Sequence, residues 1–503
     1  MPPNYSFAIQ KIQTSFEKMR NSGNPSKYKG LYAVIKSCII NQEIPHNWLL
    51  PSTRDLSREL ELSRTTIIKA YELLLLEKLI SSKIGSGYRV NYASTQSLAP
   101  MRVTADMPYQ YPSLSEKGLS FLEHITLLNR KENSYIAFKP GVPPIDIFPI
   151  KQWKGLLNNY WKYAQSTDLS FTQSTDSHLL KRQICNFLYV SRDIKCDPDQ
   201  LLIVSGSLQS VYLIANAILN KGDSVVLEDP TFPNVHSLFK SSLARVIAVP
   251  LNEEGIDIDA LSQKNTGNVK LIHVTPTNQY PLGIKMSLTR RHELVQWAAE
   301  NGSYIIENDY EHEMGNRVNP LPPIFNLDTE DRTLYLGTFN RLLYPSIRLG
   351  FMILPKHLVG VVEAIQAHSH RIVSHSMQAV MAQFIEKNWL FKHLKNLEQA
   401  ANERYETFIR EFAGHYTQIS IPQSRVSSLH LIAYFKQEVP ISLEQAIVRE
   451  LEENGISAYP LSQCYIEQPK KTGLILGYAT ITPVAIKQKM PLFRKVIQRL
   501  EIA

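Results

Sequence analysis

The sequence predicts a multidomain chain in which a small, mainly α N-terminal module closed by a β-hairpin precedes a large α/β domain with a smaller α+β C-terminal lobe. Three observations predict it. The 503 residues suit two or three domains of about 150 residues each, and 44% apolar content fills large cores. Between Leu31 and Lys78 apolar residues recur three times at helical spacing, followed by two short strand patterns. Beyond a polar, proline-bearing stretch, strand and helix patterns alternate, which indicates a mainly parallel sheet.

The N-terminal module is expected over 25–92. Its first helix runs from Leu31 to Asn41, with Leu31, Val34, Ile35, Cys38 and Ile39 on one apolar face. After the breaks at Pro45 and Pro51, Ser52 or Thr53 caps a second helix through Leu60. Leu62 and Ser63 form a tight connection into a third, from Arg64 to about Lys78, whose Ile67, Ala70, Tyr71, Leu74 and Leu75 point inward. Two strands, Leu79–Ile84 and Tyr88–Tyr92, flank Gly85-Ser86-Gly87, a hairpin tip where glycine permits positive φ.

Residues 93–133, polar and carrying Pro100, Pro108 and Pro112, predict a linker with a short helix near Gly118 to Leu128. The α/β domain is expected over 134–503, its large lobe at about 150–380 and its small lobe at about 381–503. Strands are expected at Leu201–Val204, Ser224–Leu227, Val269–Val274, Tyr304–Glu307, Thr333–Leu336 and Leu349–Leu354, with helices at Ser210–Leu219 and Thr289–Glu300. Long helices and a few strands are expected after about Phe384.

The composition narrows the class. Cys38, Cys185, Cys196 and Cys464 are scattered, with neither a disulfide framework nor a zinc spacing, which fits a reducing cytoplasm. No run of about 18 apolar residues is free of charge, so a membrane span is not expected, and no secretion signal is legible at the N-terminus. Residues 1–92 hold 13 Lys and Arg against 7 Asp and Glu, six of the net +8. A basic module on a nearly neutral remainder suits phosphate contacts.

A helix-turn-helix presents donors from the N-terminal end of its recognition helix while the preceding helix crosses the DNA backbone. Ser63, Arg64, Thr65, Thr66 and Lys69 occupy those early positions. Arg64 can donate bidentately to guanine or phosphate, and the hydroxyls suit phosphate oxygens or base edges. Arg54 would reach phosphate, and Lys83 with Gly85, Ser86 and Gly87 would put the hairpin wing into a minor groove. The same residue types also suit an ordinary charged helical surface.

Three linked stretches, Leu50-Pro51-Ser52-Thr53-Arg54-Asp55-Leu56, Leu62-Ser63-Arg64-Thr65-Thr66-Ile67 through Ala70-Tyr71, and Gly85-Ser86-Gly87-Tyr88-Arg89-Val90, resemble the GntR family of winged helix-turn-helix regulators. The region beyond the linker resembles a fold type I aminotransferase, and the fusion resembles the MocR subfamily. The resemblance implies a cytoplasmic transcription regulator that binds double-stranded DNA as a homodimer, with an aminotransferase-like sensor that usually holds pyridoxal phosphate (PLP). It also leaves the alternative of a PLP enzyme with an appended DNA-binding module.

The pocket motifs depart from the family. The Schiff-base lysine belongs to a Gly-Thr-Phe-Ser-Lys segment; here it reads Gly337-Thr338-Phe339-Asn340-Arg341, followed by Pro345 and Arg348. Arg341 thus stands at the lysine position, and a permanently protonated guanidinium forms no imine. The acid facing the pyridine nitrogen falls on Asn308 in Glu307-Asn308-Asp309-Tyr310, although a shift of one residue would put Asp309 there. The arginine expected for a substrate carboxylate falls on Ile475. Gly206 and Ser207 match a phosphate-binding turn, Phe232 the ring-stacking aromatic, Tyr310 the hydroxyl facing the 3-oxygen, and Thr338 and Arg348 phosphate ligands. The expectation is a degenerate pocket without catalysis, binding PLP or a small anionic effector non-covalently if at all. Arg341 suits either anion binding or a structural ion pair.

Overall fold

A computed structural model of the chain describes residues 3–20, 27–83, 87–92, 112–125, 137–166, 175–264, 267–314, 320–369, 373–413, 418–422, 427 and 429–498. It divides into two compact units, Met1–Pro112 and Ser113–Ala503.

In the first unit, α1 (Pro3–Arg20), α2 (Lys27–Ile40), α3 (Thr53–Glu59) and α4 (Arg64–Leu76) precede a hairpin of β1 (Ile80–Lys83) and β2 (Gly87–Val90). Serine caps set the two short-linked helices. Ser52 Oγ accepts from Asp55 N at 3.1 Å, and Ser63 Oγ from Thr66 N at 3.2 Å, each satisfying an amide the first turn cannot. Ile67, Ala70, Tyr71 and Leu74 of α4 are buried with Leu31, Ile35 and Cys38 of α2 and Leu56 of α3. Tyr71 Oη donates to Pro51 O at 2.8 Å, fixing α4 against the turn that opens α3. β1 and β2 pair antiparallel, with Lys83 opposite Gly87 at the wing. The first helix has no counterpart in the sequence reading. Ala8, Ile12 and Phe16 recur every fourth residue and bury one stripe of α1 in the same core.

The second unit opens with α5 (Glu116–His124), capped by Ser115 Oγ, within the segment expected to be a linker. It is seated on the unit by Ser120 Oγ donating to Lys240 O at 3.1 Å and Ser237 Oγ donating to His124 O at 3.0 Å. After α6 (Ile150–Tyr163) and α7 (Thr175–Arg192) come β3 (Leu201–Val204), α8 (Ser207–Ile218), β4 (Ser224–Asp229), α9 (Pro233–Ser241), β5 (Arg245–Asn252), β6 (Gly255–Ile256), β7 (Val269–Val274), β8 (Tyr304–Asn308), β9 (Thr333–Thr338) and β10 (Gly350–Ile353).

These strands form an eight-stranded sheet in the order β3-β10-β9-β8-β7-β4-β5-β6. The run β9-β8-β7-β4-β5 is parallel throughout, β10 lies antiparallel between β9 and β3, and β6 turns back on β5. β3, β9 and β10 are buried along their whole length, as strands covered on both faces must be. The small lobe carries an antiparallel sheet of β11 (Ile419–Ser420), β12 (Leu431–Phe435), β13 (Tyr459–Pro460) and β14 (Gly473–Leu476), in the order β11-β12-β14-β13. Helices Trp389–Phe412, Ile441–Glu453 and Pro483–Gln498 accompany it. Among the described residues, no helix is long and apolar enough to cross a membrane.

Candidate functional site

On the first unit, the residues expected to meet DNA fall on one helix-turn-helix and its wing. Arg54 lies in the first turn of α3, Ser63 caps α4, and Arg64, Thr65, Thr66 and Lys69 occupy the first two turns of α4. Arg54, Ser63, Arg64, Thr65 and Lys69 are exposed, and Thr66 is half-buried. The buried face of α4 therefore holds it in place while the opposite face carries the donors. Ser63 Oγ also shares hydrogens with Thr65 Oγ1 at 2.8 Å and Thr66 Oγ1 at 2.7 Å, so these hydroxyls are pre-ordered around the cap. Arg64 Nε makes only a long contact of 3.4 Å with Thr53 Oγ1, and Lys69 Nζ stands 5.8 Å above the Tyr28 ring. Lys83 and Gly87 are exposed at the wing, Gly87 with φ +76°; Gly85 and Ser86 lie outside the described residues.

A support the sequence reading missed stands behind α3. Tyr5 Oη of α1 accepts from Ser52 N at 2.7 Å and donates to Asp55 Oδ2 at 2.6 Å. Ser52 Oγ donates to the same carboxylate oxygen at 2.6 Å. The hydrogen bonds from Ser52 and then Tyr5 hold the Asp55 carboxyl below its ordinary value.

In the second unit the pocket residues gather at the C-terminal ends of the parallel strands, where open α/β sheets bind ligands. Gly206 caps α8 after β3, Phe232 follows β4, Asn308 ends β8 with Tyr310 just beyond, and Thr338 ends β9 with Arg341 after it. Arg341 is the centre of the cluster. Its Nη1 donates to Glu311 Oε1 at 3.1 Å, its guanidinium lies 4.5 Å from the Tyr310 ring centroid and 5.3 Å from that of Phe232, and Gly141 leaves room beside it. Glu311 is fully engaged, its Oε2 accepting from Asn278 Nδ2 at 2.8 Å and Ser427 Oγ at 2.7 Å. Arg341 and Glu311 thus form an ion pair.

The surrounding positions are internally occupied. Phe232 is stacked by Tyr280, with ring centroids 3.9 Å apart and planes 7° off parallel. Tyr310 Oη donates to Asn278 O at 2.7 Å, and burial pushes its phenol well above the ordinary range. Gly206, at φ +136°, gives its space to Asn340: a Cβ there would lie 2.6 Å from Asn340 Nδ2. That amide donates to Ser205 O at 3.2 Å while its Oδ1 accepts from Leu349 N at 3.0 Å. Thr338 Oγ1 accepts from Asn340 N at 3.2 Å. Ser207 begins α8, and Arg348 is exposed in a left-handed conformation with φ +50°.

Both candidates for the acid position already have partners. Asn308 Nδ2 lies 3.3 Å from His273 Nε2, while Asn308 Oδ1 and His273 Nδ1 are buried without a hydrogen bond. Burial lowers His273 to about 4, keeping its ring neutral. Asp309 is held elsewhere, with Arg192 Nη2 at 2.6 Å from Oδ2 and Tyr335 Oη donating at 2.9 Å. Burial opposes its charge, but Arg192 and then His312 overcome this and hold the carboxyl low. Glu311, Asn278, Tyr280 and Arg192 were not singled out in the sequence. Glu311 directly follows the Glu307–Tyr310 motif.

One further arrangement positions the cluster. The segment Ala137–Gly141 is laid along the small lobe: Ser457 N donates to Ala137 O at 2.8 Å, Gly477 N to Phe138 O at 2.7 Å, and Thr480 Oγ1 to Lys139 O at 2.9 Å. Its far end is Gly141, against Arg341.

Comparison with known proteins agrees with both halves. Residues 27–90 match the family of bacterial regulatory proteins, gntR family, and residues 146–485 match aminotransferase class I and II. The uncharacterized HTH-type transcriptional regulator YhdI of Bacillus subtilis is 31% identical over 92% of this chain and 93% of its own length. The chain belongs to the HTH-type transcriptional regulators that join a gntR-family domain to an aminotransferase class I and II domain. The probable rhizopine catabolism regulatory protein MocR of Rhizobium meliloti is 28% identical over 94% of each chain. For the large unit of this chain, the fold is shared with Pyrococcus horikoshii kynurenine aminotransferase at a TM-score of 0.66 and 22% identity, over 77% of this chain and 97% of that one. The α-aminoadipate aminotransferase LysN of Thermus thermophilus gives 0.67 at 20% identity, over 77% and 100%.

Proposed function

We propose that this protein is a cytoplasmic transcription regulator that binds double-stranded DNA as a homodimer through α3, α4 and the wing, and that its aminotransferase-like domain senses an effector without transaminase activity. The observation that carries the second half is Arg341. It occupies the place of the family's imine-forming lysine, and a guanidinium neither deprotonates nor attacks an aldehyde. Its pairing with Glu311 and its seat on Tyr310 support a structural role in place of a nucleophilic one. Asn308 in the acid position supports the same reading, since an amide does not stabilise a protonated pyridine as a carboxylate does. The residues present do not fit covalently held PLP, and any effector, PLP included, binds non-covalently.

Two measurements test this. The purified protein should retard DNA from upstream of its own gene, with affinity falling steeply as salt rises because counterions are released; no salt-sensitive retardation would end the regulator reading. Incubation with PLP followed by borohydride should leave the intact mass unchanged. A pyridoxyl group fixed on a lysine would replace the sensor with an enzyme.

A further inference from the structure

Cys185 stands on α7 and Cys196 on the connection from α7 to β3. Their sulfurs are 3.3 Å apart, the Cys196 thiol pointing its hydrogen at Cys185 Sγ. Both are free and half-exposed, whereas Cys38 and Cys464 are buried. The intervening chain keeps the two opposed. Asp193 turns it back with φ +54°, Asp193 N donates to Tyr189 O at 3.1 Å, and Asn326 Nδ2 holds Asp193 O at 3.1 Å. A disulfide sets its sulfurs at about 2.05 Å, so closing the pair needs a movement of about 1 Å in side chains a reagent can reach.

We propose that Cys185 and Cys196 form a reversible dithiol–disulfide site whose oxidant is a small soluble disulfide. Cys185 is the attacking residue. The hydrogen bond from Cys196 is the main cause that lowers its thiol below the ordinary value, and it raises Cys196. The Cys185 thiolate attacks one sulfur of the small disulfide, that S–S bond breaks, and one small thiolate leaves and takes up a proton. Cys196 then loses its proton to water and attacks Cys185 Sγ, releasing the second small thiol. The protein gives up two protons and two electrons, and the small disulfide takes up both to become two thiols. The new bond closes the end of α7 onto its own connection, beside Arg192, which pairs with Asp309 at the end of β8.

The test uses the full chain with oxidised glutathione, followed by alkylation under denaturing conditions and peptide mapping. The expected result is a link joining the peptides that carry Cys185 and Cys196, reversed by dithiothreitol, with Cys38 and Cys464 still alkylated. Cys196→Ser should stop at a glutathione adduct on Cys185, and Cys185→Ser should form no intramolecular link. Full alkylation of all four cysteines in the wild type, or a link through Cys38, Cys464 or a second chain, overturns the site. No adduct on Cys185 in Cys196→Ser overturns the assigned order of attack.

Discussion

Single side chains carry the sharpest consequences. Arg64 is exposed on a helix whose other face is buried, and its contact with Thr53 is too long to hold it. Arg64→Ala should therefore leave the helical circular dichroism intact and cost about 1–3 kcal/mol of specific DNA affinity in titrations on its own promoter. The exposed place of Arg64 at the start of α4 was legible in the sequence from the apolar stripe on the helix's other face. Glu311 and Tyr280 were not, because their importance lies in partners from other strands and lobes. Glu228 is of the second kind. Buried at the end of β4, it accepts from Thr275 N at 3.2 Å and Thr275 Oγ1 at 2.8 Å. Burial raises its carboxyl from 4.5 to about 7 against those hydrogen bonds. The folded state thus binds this proton more tightly than the unfolded chain. The associated stability is complete below 4.5 and is lost as pH rises through about 7. Glu228→Gln keeps an acceptor for Thr275 and does not titrate. Its thermal midpoint, relative to wild type, should rise across that window and level off above it; a constant difference would refute the assignment.

Among elements, those with regular apolar periodicity were readable and those defined by what they pack against were not. The helices α2, α3 and α4 follow from their apolar stripes and serine caps. In α1 the stripe of Ala8, Ile12 and Phe16 is thin, and polar residues between them mask it. Only the shared core gives the helix its role. α5 was expected only as a short interruption of a linker, because its hydrogen bonds to Lys240 and Ser237 reach across more than a hundred residues. β5 carries Pro250 and ends on Asn252, which obscures a strand pattern. The role of α1 can be measured. Tyr5→Phe removes the acceptor of the Ser52 amide at the start of α3, a loss of about 1 kcal/mol. DNA affinity should fall with it, since α3 carries Arg54. Unchanged stability and affinity would reduce α1 to a passive cover.

At the scale of the whole molecule, the two matched families and the strand alternation agree, and the sheet order places the pocket at the strand ends as α/β topology requires. No sequence pattern announces that Ala137–Gly141 runs along the small lobe. Gly477 permits it, since a Cβ there would collide with Lys139 O. Gly477→Ala should destabilise the second unit by about 1–3 kcal/mol or more through this overlap with backbone, read as a lowered thermal midpoint. A neutral substitution would show that the contact is loose.

That short segment has a mechanical meaning. Three hydrogen bonds fasten it to the small lobe, and its Gly141 end abuts the guanidinium at the heart of the cleft. A displacement of the small lobe would carry this segment with it and press on Arg341, and through Arg341 on Glu311.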